Sequence, residues 1–330
     1  MSLLNAFLSA FKDRYPDDPK ECLAIFKTGD IGSGRRSQRQ YQLAKRAMKG
    51  GLKEAQICFL RAFVWETANL DIATEVRQML DQGLAEDDHE LKLLYAEFLV
   101  NGWGSVGKDA AKGWQIYQGL AEKGSASAAY EVGLKSLKES NYPKAILLLK
   151  QADLSDFRVN DALGDAYMRG WSITSRGEQD FIDYFTTGFF GLGYESRDKP
   201  TEDDVRMALQ CYRNAINFHP PGVVHPNISA LYAAADCIRI LGFENQGLIY
   251  EHINNLVRAS EHDHFRSTFE LACLYHRGEL VPKNTNFAKK YAQTAIRIHS
   301  KTAGNPLAAW GAESARRVVA IRHLKEILTS

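Results

Sequence analysis

Apolar positions recur along the chain with the spacing of a helix that ends at a glycine. In LACLYHRG, residues 271–278, a leucine and an alanine are followed by Tyr275 and a closing glycine. The same spacing returns in LGDAYMRG (163–170), YAEFLVNG (95–102) and CLAIFKTG (22–29). Positions i, i+1 and i+4 share one side of a helix, and glycine suits a left-handed C-cap. Each run therefore predicts a helix with one buried stripe.

A second stripe, rich in alanine, follows each first one at a steady distance. Small residues at helical spacing let two neighbouring helices approach closely. The predicted unit is therefore helix, turn, helix. The second stripes are Ala288, Tyr291, Ala292 and Ala295; Ala111, Trp114, Tyr117 and Ala121; Tyr41, Ala44 and Ala47; and, in shorter units, Ala145, Leu149 and Ala152, and Ala73, Arg77 and Leu80.

The region 231–260 matches this unit most weakly. It predicts a helix that ends at Leu241, a turn at Gly242 and a second helix. Apolar spacing in that second helix predicts that its inward residues are Ile249, Ile253, Leu256 and Val257.

Taken together, these units resemble the Sel-one-like repeats, which are relatives of the tetratricopeptide repeat. Leu163-Gly164, Tyr167 and Gly170 match the first half of that repeat, and Gly102-Trp103-Gly104 matches its glycine loop. The resemblance implies an all-α fold, a right-handed superhelical solenoid of about seven antiparallel helix pairs. The expected organisation is an N-terminal capping segment at 1–19, a repeat array at 20–299 and a C-terminal capping helix at 300–330.

One unit is interrupted by a long insert. Gly164 and Ala208 are 44 residues apart, where Gly133 and Ala145 are 12 apart, so about 30 residues at 171–200 are additional. Inserts on repeat proteins often carry binding residues, and aromatic side chains are favoured interface anchors. Two interpretations stay open: a partner-contact element, or one more short helix that packs as core. The candidate contact residues are Trp171, Phe181, Tyr184, Phe185, Phe189, Phe190 and Tyr194.

Composition and charge narrow the classes of partner. The formal net charge is +1, so the chain lacks the basic excess of a dedicated nucleic-acid-binding protein. No apolar stretch approaches the ~20 residues that span a bilayer, and the sequence predicts no membrane insertion. The five scattered cysteines favour reduced, buried thiols, and we expect a soluble cytoplasmic chain.

Two segments invite a chemical interpretation, and neither supports one strongly. Gly29 to Arg36 is rich in glycine, but it lacks the preceding strand and the lysine-serine ending of a phosphate loop. His262 and His264 suggest a metal, but two nitrogens do not make a site, and a surface polar loop is the simpler interpretation. Prolines 220, 221 and 226 predict a stiff connection between two helices.

No nucleophile elbow, zinc-protease motif or cysteine–histidine constellation appears in the sequence, so we predict no enzyme, no metal and no cofactor. Through the resemblance, the expected function is a scaffold that binds a partner protein or peptide on a concave face. Self-association is a possible use of the insert. A regulatory protein that senses a peptide or small ligand is the alternative, and an enzyme with an unrecognised active site is the third hypothesis.

Overall fold

A computed structural model describes residues 17–28, 38–63, 70–103, 106–169, 200–218, 227–303 and 312–329. Within these ranges the chain forms fifteen α-helices and no strand. The helices are α1 (Pro19–Thr28), α2 (Gln38–Lys49), α3 (Lys53–Phe63), α4 (Leu70–Ala85), α5 (His89–Asn101), α6 (Ala110–Glu122), α7 (Ala126–Lys138), α8 (Tyr142–Leu149), α9 (Phe157–Tyr167), α10 (Glu202–Asn217), α11 (Ile228–Leu241), α12 (Gln246–Glu261), α13 (Phe265–Arg277), α14 (Thr285–Ala303) and α15 (Ala312–Thr329).

The first fourteen of these helices form seven consecutive pairs, from pair one (α1 and α2) to pair seven (α13 and α14). Packing runs mainly between helices that are neighbours in the chain, as expected for stacked hairpins. The final helix, α15, packs on both helices of pair seven. The predicted all-helical repeat of about seven pairs is therefore confirmed for the described residues. The chain divides into two compact units, unit 1 (Met1–Ala128) and unit 2 (Ala129–Ser330).

The core of unit 1 is an aromatic cluster. Phe59 and Phe63, on α3, have ring centroids 4.9 Å apart, and Tyr41 meets Phe63 edge-on at 5.4 Å. Such tilted and edge-on pairs are the arrangements that aromatic quadrupoles favour. Tyr41, Ala44 and Ala47 are all buried, so the predicted second stripe of pair one is confirmed.

The second helices of unit 2 share one buried pattern, with three inward residues spaced by four and then three. Alanine dominates this pattern because the paired helix lies close. In pairs four and five, where the middle residue is larger, the first helix supplies glycine. A Cβ on Gly164 would lie 2.6 Å from Tyr212 Cε1, and one on Gly133 would lie 2.8 Å from Leu149 Cγ. The buried triplets are Ala145, Leu149 and Ala152; Ala208, Tyr212 and Ala215; His252, Leu256 and Ala259; and Ala288, Ala292 and Ala295.

Two predicted stripes in unit 1 are partly wrong. On α6, Ala111 is exposed, and Gly113 instead takes the closest approach, against the backbone of α5. On α4, Arg77 is exposed and forms an ion pair with Asp81. On α6 the physical cause is glycine, which apolar counting overlooks and which allows the tightest helix contact. On α4 the buried positions are Val76 and Leu80, and the charged guanidinium of Arg77 stays in water.

The weak match at pair six is also corrected. Leu256 is buried as predicted, but Ile249, Ile253 and Val257 are only partly buried. The deeper positions of α12 belong instead to His252, Asn255 and Ala259. A hydrophobic count misses this face because two of its residues are polar.

Helix ends follow the sequence signals. Gly102 and Gly278 adopt left-handed conformations, with φ of 72° and 77°, at the ends of α5 and α13. Thr201 and Asp204 form a capping box at the start of α10, whose first turn is acidic. The last helix, α15, buries its residues Leu324 and Ile327.

All five cysteines lie in the described part of the chain and are free thiols. Four are buried, and Cys58 is partly buried. Burial raises the pKa of the Cys211 thiol to about 11 and that of Cys273 to about 12. These thiols therefore behave as small apolar core residues.

Candidate functional site

An open hollow of about 490 Å³ lies in unit 1 between the first helices of pairs one and two. We call it the lysine groove. One wall is a single stripe of α1, and the other is the start of α3. Its lining residues are Lys20, Leu23, Ala24, Lys27, Leu52, Lys53 and Glu54.

The floor of the lysine groove is apolar. Lys20, Leu23, Ala24 and Lys27 follow the i, i+3, i+4, i+7 pattern, which places them on one face of α1. Leu23 is nearly buried, whereas Ala24 is exposed at the open face. The small side chain of Ala24 therefore keeps the hollow open.

The rim of the lysine groove is charged. Lys27 forms an ion pair with Glu54, which joins α1 to α3 across the hollow. Lys53 Nζ lies 2.9 Å from Asp88 Oδ2 and 3.0 Å from Glu90 Oε2, at the start of α5. Hydrogen bonds to these carboxylates raise the pKa of both lysines, so the ammonium groups stay charged. Such exposed pairs add little stability, but they hold the rim in place.

Unit 2 carries a pair of carboxylates four residues apart on α9. Asp165 accepts a hydrogen bond of 2.7 Å from the Tyr212 hydroxyl. Burial, together with the charge of Asp165, raises the pKa of Asp161 to about 6. A hydrogen bond with Asn227 acts in the opposite direction and lowers it. Both acids therefore belong to the contacts between neighbouring helices.

A second polar group, which we call the pair-six network, lies deep in unit 2. It contains Tyr232, Asp236 and Arg239 on α11, His252 and Asn255 on α12, and Glu270 on α13. Asp236 forms an ion pair with Arg239, and the side chains of both are at most 6% exposed. His252 Nε2 lies 3.1 Å from Glu270 Oε1. These groups lie at helix interfaces, where alanine and leucine are the rule elsewhere in the chain.

The predicted surface loop at the two histidines is wrong for His264. This residue is the N-cap of α13, and its Nδ1 accepts from the Ser267 backbone N–H at 3.3 Å. Burial, and then the nearby Arg266 charge, lowers its pKa to about 4. Its ring lies 4.8 Å from that of Tyr232. His264 is therefore a half-buried capping residue that is neutral at neutral pH.

The predicted contact residues of the insert lie outside the described residues. These residues are Trp171, Phe181, Tyr184, Phe185, Phe189, Phe190 and Tyr194. The glycine-rich segment at 29–36 and the proline connection at 219–226 also lie outside them. The structure instead shows the lysine groove, which sequence reasoning missed. The signal was present in the α1 stripe, where two lysines flank a leucine and an alanine.

The described residues form neither a metal site nor a membrane-spanning helix. No three His, Cys, Asp or Glu side chains come together as a metal site there. None of the helices formed by those residues has both the length and the apolar character needed to cross a bilayer.

Comparison with known proteins gives structural likenesses only. The chain is similar to a solved Sel1 repeat protein from Oxalobacter formigenes, with 14% identity and a TM-score of 0.48, over 85% of this chain and 99% of that one. It is also similar to c5321, a protective antigen of uropathogenic Escherichia coli strains with an SLR fold; here identity is 11% and the TM-score 0.38, over 95% of this chain and 73% of that one. No family model matches the sequence, and no curated protein matches it.

At these TM-scores the likeness adds no weight of its own. The assignment of stacked helix pairs depends on the packing within this chain, as described above.

Proposed function

We propose that this chain is a protein-binding scaffold rather than an enzyme, and that the lysine groove receives a short segment of a partner protein. The observation that carries the proposal is the open hollow on the first helices of pairs one and two, with an apolar floor and three ammonium groups around it. Repeat arrays commonly bind their partners on such a surface.

The chemistry of the groove favours an occupant with an apolar side chain next to carboxylates. Leu23, Ala24 and Leu52 offer the apolar contact. Each lysine ammonium has three N–H donors. Lys27 uses one on Glu54, and Lys53 uses two on Asp88 and Glu90, so donors remain for a partner's carboxylate. A volume of about 490 Å³ also suits a small molecule, which keeps a ligand-sensing regulator as the alternative.

Substitution at Ala24 tests the groove. A random peptide display library would be screened against the full chain. The affinity of each selected peptide would then be measured for the wild type and for Ala24→Arg. The arginine fills the hollow from an exposed position, so affinity should fall at least about tenfold, roughly 1.4 kcal/mol. Ala111→Arg is the matched control, because Ala111 is an exposed alanine on the second helix of pair three.

Selected peptides should combine apolar and acidic residues, and their binding should weaken as salt rises. Peptides that bind all three proteins equally would count against the groove. A small anionic molecule that binds wild type, when no peptide does, would support the ligand-sensing alternative.

The aromatic insert is proposed as a second contact element. Replacing both Phe185 and Phe189 by serine should then leave melting nearly unchanged and remove capture of the partner from native cell extract. A loss of stability of order 3 kcal/mol or more per residue would show that these side chains are core.

A further inference from the structure

The interface between pair six and pair seven contains a buried histidine–glutamate contact. His252 occupies the register that Ala145, Ala208 and Ala288 occupy in the other pairs of unit 2. The side chains of His252 and Glu270 are only 1% and 2% exposed. A charged or polar group at such a depth is costly unless it has a partner. The protonation states of the His252 ring and the Glu270 carboxyl group therefore decide whether this contact is favourable.

The hydrogen positions follow from the neighbours of the imidazole ring. Nδ1 of His252 lies 2.9 Å from the carbonyl oxygen of Ala235. A carbonyl can only accept, so Nδ1 carries a proton and donates it. This leaves Nε2 facing Glu270 Oε1 at 3.1 Å. Their alignment falls short of a hydrogen bond, but at this distance a bare nitrogen and a carboxylate oxygen would repel each other.

The charged and polar groups around the His252 ring do not remove the need for a proton on Nε2. From α11, Asp236 is offset by Arg239, and the two form their own ion pair. From α13, His264 is neutral at neutral pH, since its pKa is lowered to about 4. Arg266 and Glu270 both act on Tyr232 and on His264, so all these side chains are close together. Asn255 and the edge-on ring of Phe243, 5.2 Å from the imidazole, bring no charge.

We propose that His252 is an imidazolium ion in the folded protein, and that its ion pair with Glu270 latches pair six to pair seven. The cation donates to the Ala235 carbonyl of its own pair and faces the Glu270 carboxylate of the next pair. The latch therefore connects α11, α12 and α13 through a single ring. Neither the helix repeat nor the groove in unit 1 requires it.

Nitrogen NMR of the ring tests the proton directly. Full-length protein labelled with ¹⁵N-histidine would be recorded at neutral pH, with His252→Asn used to assign the signals. We expect both ring nitrogens of His252 to show the shifts and proton couplings of a protonated ring. A bare Nε2 beside a protonated Nδ1 would overturn the proposal, and the protonation state itself is observed in the wild-type protein.

A double-mutant cycle tests the latch. His252→Ala alone leaves the Glu270 carboxylate buried without its cation, and the melting temperature should fall by roughly 5–10 °C. In His252→Ala/Glu270→Ala the second change should cost much less than it does alone, because no charge is left unpaired. Strictly additive losses would contradict a coupled pair. Glu270→Gln keeps the shape and offers an N–H to a neutral ring, so it should melt closer to wild type than His252→Ala does.

Discussion

Pairs five and six place an aspartate at the same register and accommodate it in different ways. Asp165 follows Gly164 in pair five, and Asp236 follows Ala235 in pair six. In pair five the glycine admits the Tyr212 ring, whose hydroxyl donates to Asp165. In pair six the aspartate forms an ion pair with Arg239 on its own helix. One position of the repeat thus carries a hydrogen bond from a tyrosine hydroxyl in one pair and a buried ion pair with arginine in the next.

The difference shows how a polar residue can be accommodated between the helices of a stacked array. The repeat fixes where the side chain lies, and the neighbours decide which charge it can hold. Three changes separate the two solutions experimentally.

The largest effect is expected from aspartate to asparagine at the two equivalent positions. Asp236→Asn removes the carboxylate that pairs with the Arg239 guanidinium, only 6% exposed, and should destabilise unit 2 by about 3 kcal/mol. Asp165→Asn still accepts from Tyr212 and should change stability by less than about 1 kcal/mol. Urea unfolding of both variants checks this, and equal losses would show that the two sites are not different in kind.

The second effect concerns the glycine that admits Tyr212. A Cβ at Gly164 would lie 2.6 Å from the tyrosine ring, so Gly164→Ala should cost about 2 kcal/mol through overpacking. Gly119 on α6 has open space around its Cβ position, and Gly119→Ala should stabilise the helix by up to about 1 kcal/mol. A gain at both positions in thermal unfolding would mean that the ring of Tyr212 gives way freely.

The smallest effect is a pH dependence in pair five. The pKa of Asp161 is about 6 in the folded protein and lies near 3.8 when the chain is unfolded. The folded state therefore holds a proton between these values that the unfolded state releases, and its stability falls as pH rises from about 4 to 6. Because Asp161 keeps some contact with water, the difference should be about 1–2 kcal/mol.

Comparison of the wild type with Asp161→Asn isolates the pH dependence of stability that Asp161 contributes. His264 acts with the opposite sign, because its pKa is lowered to about 4, and stability gained from it rises with pH up to about 6.5. His264→Asn retains an N-cap while it removes that slope. An Asp161→Asn profile parallel to that of wild type would show that the acid titrates normally.

Much of the fold was predictable because helix packing leaves a periodic trace. Leucine, alanine and the closing glycines predicted the helix pairs, and Gly102 and Gly278 are C-caps as expected. Apolar counting failed on α6, where Gly113 makes the closest approach, and on α12, where the polar His252 does. Both residue types look like surface or turn positions to a hydrophobic scale.

The candidate site was harder to predict than the fold. The lysine groove brings α1 together with the start of α3, and a sequence pattern reports only one helix at a time. The stripe of Lys20, Leu23, Ala24 and Lys27 was visible, but alone it is typical of any exposed helix face. The Lys53 contacts with Asp88 and Glu90 join residues more than thirty positions apart, beyond the range of local spacing.

The five free thiols have a practical consequence. Cys22, Cys58, Cys211, Cys237 and Cys273 belong to pairs one, two, five, six and seven, one in each. A thiol that is buried and protonated reacts with an alkylating reagent only after its helix pair has opened. The rate at which each of the four buried sulfurs is labelled in the native protein therefore reports how often its helix pair opens, without any added probe.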